Sequence, residues 1–195
     1  MNRRALWLAA AFASAGVIGA AALVPFTRTA SADKPAECTC AGAPVVDPTL
    51  LAFLSKARAA HHRADLMEED GDIDLAIAAL APVVAPPRPA GAPEADEVVA
   101  DTYARIADLR SDLGDFGPAL GDVEAGLALA ARPTHFRGHL LEIKGVVLER
   151  RYRALDAMGE TDEAARVKVQ ALEAFKAAID VQEQVIDDAL KNGGR

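Results

Sequence analysis

Gly114-Asp115-Phe116-Gly117-Pro118-Ala119 decides the reading of this chain, because the same device occurs before and after it. The other copies are Gly71-Asp72-Ile73-Asp74-Leu75-Ala76 and Gly159-Glu160-Thr161-Asp162-Glu163-Ala164. Each places glycine where a helix must end and an acid directly after it. Alanine follows five positions beyond the glycine. Glycine takes the left-handed conformation that closes a helix, and the following acid or hydroxyl is suited to capping a new one. Alanine is small enough for the second helix to lie close against the first. The expected product is an αα-hairpin, used three times.

Around these turns, apolar residues recur every three or four positions, which predicts six helices over residues 49–69, 73–84, 94–113, 116–131, 135–158 and 162–191. Asp47-Pro48 opens the first, as an N-cap acceptor followed by a proline suited to the first turn. Pro82 is expected to tighten or bend the end of the second, and Pro86-Pro87-Arg88-Pro89 to separate it from the third. Asn192-Gly193-Gly194 is expected to stop the sixth. The expected apolar stripe of that helix is Leu172, Phe175, Ile179, Ile186 and Leu190. Val45-Val46, Val83-Val84 and Val98-Val99 are too short to alternate as strands, so the fold class is all-α.

At the three turns the chain resembles the tetratricopeptide repeat family, whose hairpin turn reads Gly-Asp-aromatic-x-x-Ala. In the middle copy Tyr103, Ala107, Gly114, Asp115, Phe116 and Ala119 fall on signature positions, and Pro133 ends the unit. In the first, Ala60, Ala64, Gly71, Asp72, Ala76 and Leu80 correspond, with Ile73 in place of the aromatic. In the third, Tyr152, Gly159, Ala164 and Ala171 correspond, while Arg151 and Lys168 stand at positions usually apolar. The glycine anchors are 43 and 45 residues apart, against the family's usual 34. The resemblance covers residues 49–191 and implies a right-handed stack of antiparallel hairpins. A generic six-helix bundle is the alternative. The family usually holds a protein or peptide segment in a groove lined by the first helix of each pair. Arg58, His62, Arg105, Arg110 and Lys144 are the residues expected to face it. Asparagines occur only at Asn2 and Asn192, so the lysine-and-asparagine clamp of one family subset is unsupported.

Upstream of the repeats, residues 5–26 form a run without a charge, long enough to span a bilayer, but with nine alanines and a closing Pro25. Ala30-Ser31-Ala32 offers small residues to a signal peptidase. Length favours a membrane anchor and the cleavage site favours release; both readings stand. Asn2-Arg3-Arg4-Ala5-Leu6-Trp7 resembles a twin-arginine export signal with a short leader, beside the general secretory alternative. Residues 1–32 are thus a signal or anchor, 33–48 a proline-rich tether and 49–191 the helical domain. The location expected is the cell envelope: periplasmic, extracellular or anchored in the inner membrane.

Net charge supports that division. The chain has 21 Lys+Arg against 29 Asp+Glu and only 5% aromatics, which argues against a nucleic-acid partner. Acidity also repels anionic lipid, so membrane attachment is expected only through residues 5–26.

Chemistry-bearing motifs are sparse. Cys38-Thr39-Cys40 is a candidate for a disulfide, and a metal-binding or redox role for Cys38 and Cys40 is an alternative function. His135 and His139 share a helix face with Glu142, but Phe136 stands where a metalloprotease has glutamate. Asp70, Asp72 and Asp74 begin like a calcium loop, yet Leu75 and Ala81 occupy its required glycine and glutamate positions. No catalytic residue, cofactor or metal is expected. The leading expectation is a non-enzymatic scaffold that binds a protein or peptide. A homo-oligomer built through residues 162–191 is the structural alternative, with Leu172, Ile179 and Ile186 spaced by seven.

Overall fold

The computed structural model describes residues 47–193. The apolar run 5–26, the cleavage site, the twin-arginine motif, Cys38 and Cys40 lie outside them. Six helices and no strand occur among the described residues: α1 Pro48–Glu69, α2 Ile73–Val84, α3 Pro93–Asp112, α4 Phe116–Leu129, α5 His135–Ala157 and α6 Thr161–Gly193. The chain is all-α there. None of these helices is long and apolar enough to cross a membrane.

Local chemistry accounts for the boundaries. The Asp47 carboxylate accepts from the Thr49 N–H at 2.8 Å, with Pro48 in the first turn of α1. Thr134 caps α5 by accepting from the Arg137 N–H at 3.3 Å. Gly71, Gly114 and Gly159 have φ of 85°, 83° and 81°. Each closes its helix with a paired carbonyl pattern: Gly114 N–H donates to Ser111 O at 3.1 Å and Asp115 N–H to Arg110 O at 3.0 Å.

The acids that follow differ from expectation. Asp72 and Asp115 occupy N-cap positions, but neither side chain makes a cap hydrogen bond. Asp115 has φ −80° and ψ 57°, the conformation of an inverse γ-turn, and Phe116 N–H accordingly donates to Gly114 O at 2.9 Å. That backbone geometry replaces the extended one from which a cap side chain reaches forward. Two helix ends differ as well. α4 stops at Leu129, two residues early, and the Arg137 guanidinium donates to the freed Ala130 carbonyl at 3.0 Å. α6 runs on through Gly193.

Packing follows the chain. α1 lies against α2, α3 against α4 and α5 against α6, while α3 also meets α1, α2 and α5. The core is made largely of alanine: Ala64, Ala76, Ala100, Ala104, Ala107 and Ala119 are completely buried. Leu80 and Leu109 fill the α1–α2–α3 junction, and Val123 and Val147 fill the one beyond it. Small side chains let helices approach closely, and dispersion contacts among close-packed atoms add up. Glycines bring α5 nearer still. An added Cβ at Gly138 would stand 2.5 Å from the Gln182 side chain, and one at Gly145 would stand 2.6 Å from the Phe175 ring.

α6 corrects the expected stripe. Its buried face is Ala164, Val167, Ala171, Ala174 and Ala178. Leu172, Ile179, Ile186 and Leu190 are 61%, 58%, 57% and 74% exposed. Val167, Ala171 and Ala174 pack with Leu148, Tyr152 and Leu155 of α5, while Gln182 and Phe175 of α6 fill the space left free by Gly138 and Gly145.

Candidate functional site

Because α3 lies between α1 and α5, polar residues spaced by three or four on these helices meet along one face. Arg105 on α3 donates to Asp65 at 3.3 Å and to Glu68, both on α1. Its other terminal nitrogen lies 3.9 Å from Asp108. Asp108 in turn accepts from Arg150 on α5 at 2.6 Å, and Arg150 also reaches Asp112 at 2.9 Å. The result is a ladder of charge running from α1 through α3 to α5. Arg150 further donates to the Asp108 carbonyl at 3.1 Å and to the Ser111 hydroxyl, which is nearly buried.

A second link lies beside the ladder. The Thr102 hydroxyl donates to the Val98 carbonyl at 2.7 Å, and His61 Nε2 lies 2.9 Å from the same oxygen. Since the hydroxyl proton is committed to Val98, His61 Nε2 must be the donor, which leaves Nδ1 as an acceptor. Burial lowers the His61 pKa below the ordinary imidazole value, against the opposing pull of Asp101 and Asp65. His61 therefore does not act as a base toward Thr102; it ties α1 to α3. Together His61, Asp101, Arg105, Asp108, His139 and Ile143 line a depression of about 150 Å³ where α1, α3 and α5 come together.

Of the five residues expected to face a groove, only His62 and Arg105 come together, at the shared Asp65 carboxylate. Arg105 sits in the ladder. Arg58 is exposed on α1, and His62, also exposed there, lies 3.9 Å from Asp65. Arg110 instead donates to Asp122 of α4 at 2.5 Å, and Lys144 to Glu124 of α4 at 2.7 Å. Burial raises the Asp122 carboxyl above the usual range, with Arg110 opposing the rise. Lys144 lines a different groove, with Leu120 and Leu148, that reaches Ala174 and Ala177 of α6.

Sequence reasoning passed over Asp65, Glu68, Asp101, Asp108 and Arg150. Their signal was polar spacing on first helices: 61, 65 and 68 on α1, then 101, 105, 108 and 112 on α3. Single charges at helical spacing look like an ordinary solvated face, and only the neighbouring helix turns them into pairs.

The turn and packing residues have definite places. Ala76, Ala119 and Ala164 are buried at 0%, 0% and 2% exposure, while Phe116 is partly buried beside Ala119 and Val123. His135 and His139 stack with ring centroids 6.3 Å apart, and no group of three or more His, Cys, Asp or Glu is placed to hold a metal ion among the described residues. Comparison of the chain with protein-family models, curated proteins and solved structures gives no match.

Proposed function

We propose that the protein is a non-enzymatic, tetratricopeptide-like scaffold of the bacterial cell envelope, exported or anchored by its N-terminal residues, that binds a protein or peptide segment. In this reading the helix pairs are antiparallel hairpins in a right-handed stack, and α1, α3 and α5 line the binding groove. The observation that carries it is the continuous polar face in which Arg105, Asp108 and Arg150 join those helices. A face locked by side chains from three helices is preorganised, so a bound segment would not have to order it.

Charge favours a basic segment. Asp65, Glu68, Asp101, Asp108, Asp112 and Glu142 outnumber the arginines on these helices' shared face, even with Arg58 counted beside Arg105 and Arg150. Opposite charge steers encounter and rejects acidic competitors.

A photo-crosslinking residue at position 101, compared with one at Arg153 on the exposed side of α5, tests the proposal in the source cell. Reproducible attachment of the same envelope protein from position 101 alone is the expected result. Equal labelling from both positions, or none from 101, removes the groove as the functional surface.

A further inference from the structure

At 1.5 Å per residue, the 33 residues of α6 extend about 50 Å while the 23 of α5 extend about 35 Å. Every described residue from Ile186 onward is exposed. About a third of the way round the helix from the buried alanine face runs a second stripe. It reads Leu172, Lys176, Ile179, Glu183, Ile186 and Leu190, with alternating steps of four and three residues. That alternation is the seam of a two-helix coiled coil. The four apolar members are more than half exposed.

We propose that this stripe pairs with the same stripe of a second copy, antiparallel, about a twofold axis at Ile179. The two charged seam residues determine the orientation. In a parallel, in-register pair, Lys176 would face Lys176 and Glu183 would face Glu183, and both oppositions repel. In the antiparallel pair Ile179 meets its own counterpart and Leu172 meets Ile186. Lys176 then comes within one residue's rise of Glu183, twice, because the two lie three and four residues either side of the axis. Lys176 at present reaches Asp180 of its own helix at 2.7 Å, and Glu183 is exposed. Such an interface is isologous and closes at two copies. Beside the seam, Gly138, Phe175, Ala178 and Ile186 border an apolar groove of about 400 Å³, which offers the Leu172 side chain of the second copy a place to sit.

Cysteine crosslinking in the full chain, with Cys38 and Cys40 replaced by serine, tests the geometry. Ile179→Cys is expected to give a disulfide-linked dimer on its own. Leu172→Cys and Ile186→Cys are expected to link only when the two variants are mixed. Self-linking of Leu172→Cys would establish a parallel pair and overturn the proposal. Absence of an Ile179→Cys dimer, or its linkage to a different protein, would overturn it too. The charge pair gives an independent readout. Lys176→Glu should weaken association about tenfold, because the twofold axis turns both Lys176–Glu183 pairs into like-charge oppositions at once, and adding Glu183→Lys should restore it. Both positions are exposed, so circular dichroism should stay helical throughout; a chain that sediments as a folded monomer before any substitution refutes the pairing.

Discussion

The Phe175 ring on α6 occupies the space where a side chain on Gly145 of α5 would begin, with three ring carbons 2.6 to 2.8 Å from that Cβ position. Ring and neighbouring helix backbone meet here without intervening side chains. Gly145→Ala should therefore destabilise the fold by about 1–3 kcal/mol, since the ring must move or the helices part. Gly121→Ala, whose Cβ would meet nothing within 4 Å, should instead stabilise α4 by about 0.5–1 kcal/mol through helix propensity. Urea unfolding of the two variants checks both signs.

Gly114 is constrained by its backbone rather than its surroundings. At φ +83° with open space around the Cβ position, Gly114→Ala should cost about 1–2 kcal/mol, and Gly114→Asn should cost less because asparagine tolerates the left-handed region. The same asparagine at Gly145 should bring no relief. Thermal unfolding of the four variants separates strain at a turn from crowding at a helix contact.

The Asp108–Arg150 pair should be coupled. Both side chains are largely shielded, at 24% and 33% exposure, and Arg150 holds further acceptors around it. A double-mutant cycle to alanine should give a coupling of about 1–2 kcal/mol. The exposed Arg153–Glu149 pair, four residues apart on α5, should give a coupling indistinguishable from zero. Equal couplings would mean that the ladder does not hold α3 to α5.

His61 gives the fold a pH dependence of definite sign. Burial lowers its folded pKa below the 6.5 of an unperturbed imidazole. The unfolded chain then binds more protons as pH falls below that value, so His61's contribution is fully present above it and is lost as pH drops through the folded pKa. Stability measured from pH 7.5 down to 5 should decline in that window, and His61→Gln should flatten the decline.

The helices themselves were legible because their signals are local. Asp47-Pro48 opens α1 as expected, and the glycines at 71, 114 and 159 end their helices. A glycine-acid pair after an apolar period reports a backbone conformation, and neighbouring residues suffice to impose it. The acids were misread at one level: Asp115 follows its glycine as anticipated, yet the inverse γ-turn takes the place of a side-chain cap. The candidate site was less legible. Arg105 was singled out, but Arg110 and Lys144 turn to α4, because a charge on a helix chooses its partner from whichever helix lies beside it.

By itself, then, the amino-acid sequence determined where helices start, the tight glycine turns between them and, except at the ends of α4 and α6, where they stop, since these depend on contacts a few residues long. Which face of α6 is buried was decided by the tertiary structure. On α6, hydrophobicity alone favours Leu172, Ile179 and Ile186, yet Ala164, Ala171 and Ala178 are buried. Phe175 and Gln182 seat on Gly145 and Gly138 of α5, the small alanines fill the rest of the helix contact, and Leu172, Ile179 and Ile186 are left facing outward. The charge ladder has the same origin: Asp65 and Arg105 lie 40 residues apart, and only the packing of α1 on α3 makes them neighbours.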